Sequence, residues 1–173
     1  KDVRISAGAR LGEDGKGFDT MMGVVLPWFS VLSAACSTGL MEGALSRAIG
    51  HVSQTRHLHL ASSLADLPTV RAYLAKARIK ADMTQALLDD TIAAIGAGRA
   101  DTMLRVLEVK AAAAESALEV TDIAMRVCGG AAFRKEARIE RLFRDARASS
   151  VMAPTSDVLY DFIGKAITGL PLF

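Results

Sequence analysis

The sequence predicts an all-α protein: an up-and-down four-helix bundle with short extra C-terminal helices. Three observations carry that expectation. Of the 173 residues, 51% are hydrophobic but only 5% aromatic, so the apolar content is mostly Ala, Leu, Val, Met and Ile, which favours helices over a β-sandwich. Leu104, Leu107, Ala111, Ala114, Leu118, Thr121, Met125 and Cys128 step by three and four without a break, the seam of an antiparallel bundle. Glycine or proline then stands where each periodic stretch stops, at Gly96 to Gly98, Gly129-Gly130, Ala153-Pro154 and Gly169.

Residues 1–17 differ from the rest. Val3 and Ile5 alternate with charged or small residues, and Arg10 to Gly17 is a glycine-punctuated connector. The expectation is the last strand of another domain, cut off from its sheet, followed by a helical domain over 18–173. Lys1 in place of an initiating Met fits a piece of a longer protein.

The first helix is expected from about Phe18 to about Thr55, bent near Pro27, because proline lacks the N–H that the helix ladder needs. Met21 to Met41 is low in charge, but Pro27, Ser30, Ser33, Ser37 and Thr38 interrupt it, so a core helix is expected rather than a membrane span. No signal-peptide pattern is visible. Ser53 to Leu67 lacks periodicity and reads as a connection. Pro68 starts a second helix, where a missing N–H costs nothing, and Val70, Leu74, Ala77, Ala81, Leu88 and Ile95 mark its stripe. Asp101 is the expected N-cap of the third helix, which carries the seam. A short helix follows over about Ala137 to Ser150, and Thr155 caps a last one from Ser156 to Thr168.

Composition narrows function only by exclusion. A net charge of +2 gives no dense basic face for nucleic acid. Cys36 and Cys128 have no metal-ligand spacing, so two buried thiols in a reducing, cytoplasmic compartment are expected. His57 and His59, two residues apart, do not share a helix face, which disfavours a metal pair. Arg56 beside them is either an exposed connector residue or an anion contact, since a guanidinium matches a phosphate in bidentate fashion. Gly129-Gly130 is either a left-handed helix cap or a place where a cofactor approaches bare backbone. From Arg138 to Arg147 charges alternate densely, with Glu140 and Arg144 spaced to pair along one solvated helix face.

The order of these pieces resembles the C-terminal part of the acyl-CoA dehydrogenase family. The carrying residues are Val127 to Phe133, Glu136, the run Ile139-Glu140-Arg141-Leu142-Phe143-Arg144-Asp145-Ala146-Arg147, and Thr155-Ser156-Asp157. Leu11 to Phe18 is similar to the family's connector from the middle β-domain, and Gly39 to Leu45 to its first bundle helix. The resemblance implies FAD as cofactor, an acyl-CoA as substrate, and a homo-oligomer, dimeric or, in the full-length protein, tetrameric. It implies that Arg56 reaches the FAD pyrophosphate of a neighbouring subunit, that Gly129 and Gly130 let the cofactor approach, and that Thr155 lies by the flavin. Asp157 stands where a longer polar residue is usual.

The sequence also departs from the family. The glutamate that usually removes the substrate α-proton is replaced by Ala153, which accepts no proton. The second family position for it falls near Trp28 and Phe29, where no carboxylate stands. His59 replaces an aromatic residue, and Ala131 and Ala132 replace residues of the Gly-Asn/Thr-Gly type. The expected function is α,β-dehydrogenation of an acyl-CoA thioester by the full-length flavoenzyme. A flavin-dependent monooxygenase of the same superfamily and a catalytically silent helical oligomerisation module are the alternatives.

Overall fold

The structure is a computed structural model and describes residues 2–57 and 61–172. Among the described residues five long helices build the bundle: α1 (Gly17–Gln54), α2 (Pro68–Ala97), α3 (Thr102–Cys128), α4 (Ile139–Val151) and α5 (Ser156–Thr168). The strand expected near the start is not formed. Val3 and Ile5 are exposed without strand pairing, and a 3₁₀ turn occupies Ala7–Ala9. A strand needs a neighbour to take its N–H and C=O groups, and none lies beside this segment among the described residues.

The irregularity expected near Pro27 is a π segment at Met21–Val25, one turn ahead of it. The Leu26 N–H reaches back five residues to the Met21 carbonyl, widening the helix where Pro27 can donate no bond of its own. From Leu26 to Gln54 the α-helix runs unbroken. It is long and apolar enough to cross a bilayer, yet one face, including Ala34, Met41, Ala44, Leu45, Ala48 and Val52, is buried in the bundle core. Its other face, with Val24, Val25, Trp28 and Leu32, is exposed.

A two-strand hairpin, β1 (Arg56–His57) with β2 (Ser62–Ser63), joins α1 to α2. A capping box closes it. The Asp66 carboxylate accepts from the Ser63 N–H at 2.6 Å and the Ser63 hydroxyl at 3.0 Å, and Arg71 donates to the carbonyls of Ala65 and Asp66. Gly98, left-handed at φ +61°, ends α2 as expected.

Helices α2 and α3 pack antiparallel. Tyr73 meets Arg126, Lys80 meets Glu119, and Thr91 meets the Arg105 carbonyl, the numbers rising on one helix as they fall on the other. The α2 stripe is corrected at three positions: Ile95 is exposed, while Thr84 and Thr91 are buried. Each threonine hydroxyl donates to the carbonyl four residues back, which satisfies it inside the core. Asp101 stands at the N-cap position of α3, as expected, and its carbonyl accepts the Arg105 N–H at 3.0 Å, but its side chain caps no helix N–H. Its carboxylate accepts from Arg99 at 2.8 Å and Arg105 at 3.0 Å, and Asp90 takes the other side of Arg99.

Helix α3 is the axle of the fold. It packs against α1, α2, α4 and α5, and fifteen of its 27 residues are buried, so the seam read from the sequence is one of several buried faces. Leu104, Leu118 and Met125 of that seam are only half-buried, whereas Val106, Val109, Lys110 and Val120 outside it are fully enclosed.

Candidate functional site

The residues singled out in the sequence fall into two groups at opposite ends of the bundle. At one end, α4 runs into Met152 and the cis Ala153–Pro154 peptide, and Thr155 begins α5. The Thr155 hydroxyl caps α5 by accepting the Val158 N–H at 3.4 Å. Asp157, exposed in the first turn, lies at the positive end of the helix dipole. Ala153 is exposed between them.

Beside this loop is a pocket of about 330 Å³ between α1 and α4, lined by Phe29, Leu32, Cys36, Leu40, Ala148 and Met152 with a few polar groups. The Ser33 and Ser149 hydroxyls share a hydrogen bond of 3.0 Å across its wall. Ser37 Oγ is buried there with no hydrogen-bond partner. Asp145 is the one carboxylate in the lining, and the Arg141 Nε donates to it at 3.3 Å. Apolar walls with a few polar groups suit a hydrocarbon chain carrying a polar function at one end.

Under the loop lies a residue that the sequence reading missed. Lys110 is fully buried, and its Nζ donates to the carbonyls of Ser149 at 3.1 Å, Met152 at 3.1 Å and Pro154 at 2.7 Å. The Phe29 ring covers it, with the ring centre 5.7 Å from Nζ. Burial pulls its pKa below the ordinary lysine value. The only signal in the sequence is a lysine flanked by Val109 and Ala111 inside an apolar helix.

The second group sits where α1 and α3 both end. Arg56 is exposed on β1, held opposite Ser63 by the hairpin register. Asp66 is fully exposed, and its carboxyl is held below the usual range by hydrogen bonds from Ser63, with Arg71 and Arg56 adding positive charge. Gly129 takes φ +55° and ψ −140°, a backbone that side-chain-bearing residues rarely adopt, rather than the left-handed cap expected. Gly130 has no positive φ. A Cβ placed on either glycine would meet nothing within 4 Å, so both present bare backbone to open space. Arg47, His51 and Gln54 of α1 line a shallow cavity with Arg134 and Glu136 alongside them. His59 lies outside the described residues.

The two groups do not meet within one chain. From Lys110 to Gly129, α3 covers roughly 28 Å at 1.5 Å per residue. The thiols are also apart. Cys36, expected to be buried, is exposed at the apolar pocket, whereas Cys128 is buried at the other end as expected, with its pKa pushed up to about 11 by desolvation. Glu140 and Arg144 pair on α4 at 3.4 Å, as their spacing predicts.

Known proteins are similar to this chain in sequence and fold. An acryloyl-CoA reductase (NADH) of Anaerotignum propionicum is 28% identical over 91% of this chain and 39% of its own length. A cyclohex-1-ene-1-carbonyl-CoA dehydrogenase of Syntrophus aciditrophicus (strain SB) is 25% identical over 96% of this chain and 40% of its own. The butyryl-CoA dehydrogenase structure from Megasphaera elsdenii superposes with a TM-score of 0.90 at 25% identity, covering 97% of this chain and 43% of that one. The chain thus spans about two fifths of the length of these three relatives. The sequence profile described as "Acyl-CoA dehydrogenase, C-terminal domain" matches residues 15–168, and the chain belongs to that family.

Proposed function

We propose that the chain is the helical C-terminal portion of an FAD-dependent oxidoreductase that dehydrogenates an acyl-CoA thioester. The observation that carries this reading is the apolar pocket between α1 and α4, opening beside the loop from Met152 to Thr155. Its walls would exclude water from an acyl chain, while Ser37 offers an unpaired hydroxyl to a polar group.

The second group fits a dinucleotide. Arg56 would bind the pyrophosphate through its exposed guanidinium, and Gly129 and Gly130 would let the cofactor lie against backbone, where no side chain fills the space. FAD, when bound, supplies the acceptor for the hydride. The separation of the two groups supports a homo-oligomer in which one subunit brings its Arg56 end to the loop end of another.

Neither matched position supplies a proton acceptor, because Ala153 and Phe29 carry no titratable group. The acceptor in this reading comes from elsewhere in the full-length protein. The same observation favours a second reading, a flavin-dependent monooxygenase, whose reaction with oxygen needs no base at position 153. One experiment separates them. The full-length protein is purified, inspected for visible flavin absorbance and titrated anaerobically with acyl-CoAs. Bleaching supports the dehydrogenase. Bound flavin that no acyl-CoA bleaches, yet consumes oxygen when reduced beside a non-thioester substrate, supports the monooxygenase. No flavin at all overturns both in favour of an assembly module.

A further inference from the structure

Lys110 has the largest side chain fully enclosed in the bundle, and the proposed chemistry assigns it no part. An enclosed ammonium is costly unless every N–H is satisfied. Here three donors meet three acceptors, all of them main-chain carbonyls, from Ser149, Met152 and Pro154. Among the described residues no ion pair includes it. Three carbonyl acceptors suit the three N–H donors of the ammonium and offset the desolvation that burial imposes on it.

The choice of carbonyls is informative. That of Ser149 belongs to the last turn of α4, whose carbonyls lack helical partners and whose dipole favours a cation, and that of Met152 belongs to the extended residue that caps the helix. The Pro154 carbonyl directly precedes the N-cap of α5. Met152 and Pro154 flank Ala153, so one ammonium holds the backbone on both sides of the position matched to the family base. A methionine would fill the same space without the cost of burying charge but would hold none of these carbonyls.

We infer that Lys110 is a positioning residue, a clamp that sets where Ala153 and Thr155 stand beside the apolar pocket. The inference rests on the proposed reading of that loop as part of the substrate site, so its test has two independent readouts in the full-length protein. In Lys110→Met, amide hydrogen exchange from Met152 to Asp157 should rise about tenfold or more while α1 and α2 keep their protection, a local opening rather than a global one. Anaerobic flavin reduction by the acyl-CoA that bleaches the native protein should slow about 10²-fold through kcat at unchanged flavin occupancy, the scale of a small misplacement in a reacting geometry.

Should Lys110→Met fail to fold, Lys110→Gln, which keeps two N–H donors, is measured in the same way. Unchanged loop exchange, exchange raised evenly over the bundle, or failure of both variants to fold would overturn the clamp. If the native protein bleaches with no acyl-CoA but loop exchange responds as stated, the proposed reaction falls and the clamp stands.

Discussion

The ring of Phe29 lies over the buried ammonium of Lys110, with 5.7 Å between Nζ and the ring centre. Near Trp28 and Phe29, where the proposed reading looks for the second base position, this chain keeps an aromatic face on a cation. A carboxylate there would be drawn into an ion pair, and a neighbouring ammonium lowers a carboxylate's proton affinity. Phe29→Glu in the full-length protein should leave acyl-CoA-dependent flavin bleaching no faster than in the native protein. A gain of bleaching would show that a carboxylate at residue 29 escapes Lys110.

Packing gives the second expectation. Leu107 is 1% exposed and sits with Leu26, Ala111 and Leu159 where α1, α3 and α5 meet. Leu107→Ala should destabilise the protein by roughly 2–5 kcal/mol, as buried leucine truncations do. Leu118 is only half-buried on the outer side of the main core, so its truncation should cost less. Urea unfolding of both variants checks the order.

The turn between α2 and α3 should make the fold acid-sensitive. Hydrogen bonds from Arg99, with Arg105 adding to them, hold the Asp101 carboxyl well below the usual carboxylate range, and Arg99 does the same for Asp90. A depressed acid contributes stability that is fully present above its unfolded pKa, about 4 for aspartate, and is lost as pH falls through the lower folded value. Tm should thus be insensitive to these groups from neutrality to about pH 5 and fall below about pH 4. Asp101→Asn should flatten part of that fall, and added salt should shrink the effect, because both acids are exposed.

Helix ends were legible because they are local. Gly98, Gly169 and Thr155 cap as their residue types dictate, from backbone freedom or a hydroxyl within reach of an N–H. The role of α3 was not legible in that way. Periodicity finds the boundary between an apolar and a polar face, and a helix packed on four sides has little polar face to find. Lys110 reads as solvent-facing in any such pattern, yet three carbonyls from another element neutralise its cost. The candidate site was legible as a set of residues but not as a place. Arg56 and Thr155 are named by the same resemblance, and only the antiparallel path of the chain puts them at opposite ends.

Arg56 offers a test of the dinucleotide end. It is exposed on a two-residue strand, so Arg56→Ala should leave Tm close to native. A charge-assisted hydrogen bond to phosphate is worth about 1.5–3 kcal/mol, which predicts flavin binding weaker by about ten- to a hundredfold in the full-length protein. Unchanged flavin retention on dialysis would remove Arg56 from the site.

The exposed loop gives the sharpest expectation. Ala153, which the proposed reading matches to the family base, is exposed, with the Thr155 hydroxyl two residues on already engaged as a helix cap. Ala153→Glu adds a carboxylate where solvent and the neighbouring pocket are both within reach, and the Lys110 ammonium lies behind the loop, spent on main-chain carbonyls. General-base catalysis contributes about 10²–10⁴-fold, so a productive carboxylate should raise the rate of anaerobic bleaching by a readily measured factor. Pro154 works against it, since its ring fixes φ and narrows the directions in which the loop can aim residue 153. A rise that disappears when Lys110→Met is combined with Ala153→Glu would tie the gain to the fixed loop. A flat response, with flavin still bound and oxygen consumed beside a non-thioester substrate, would instead assign the missing carboxylate to a different reaction.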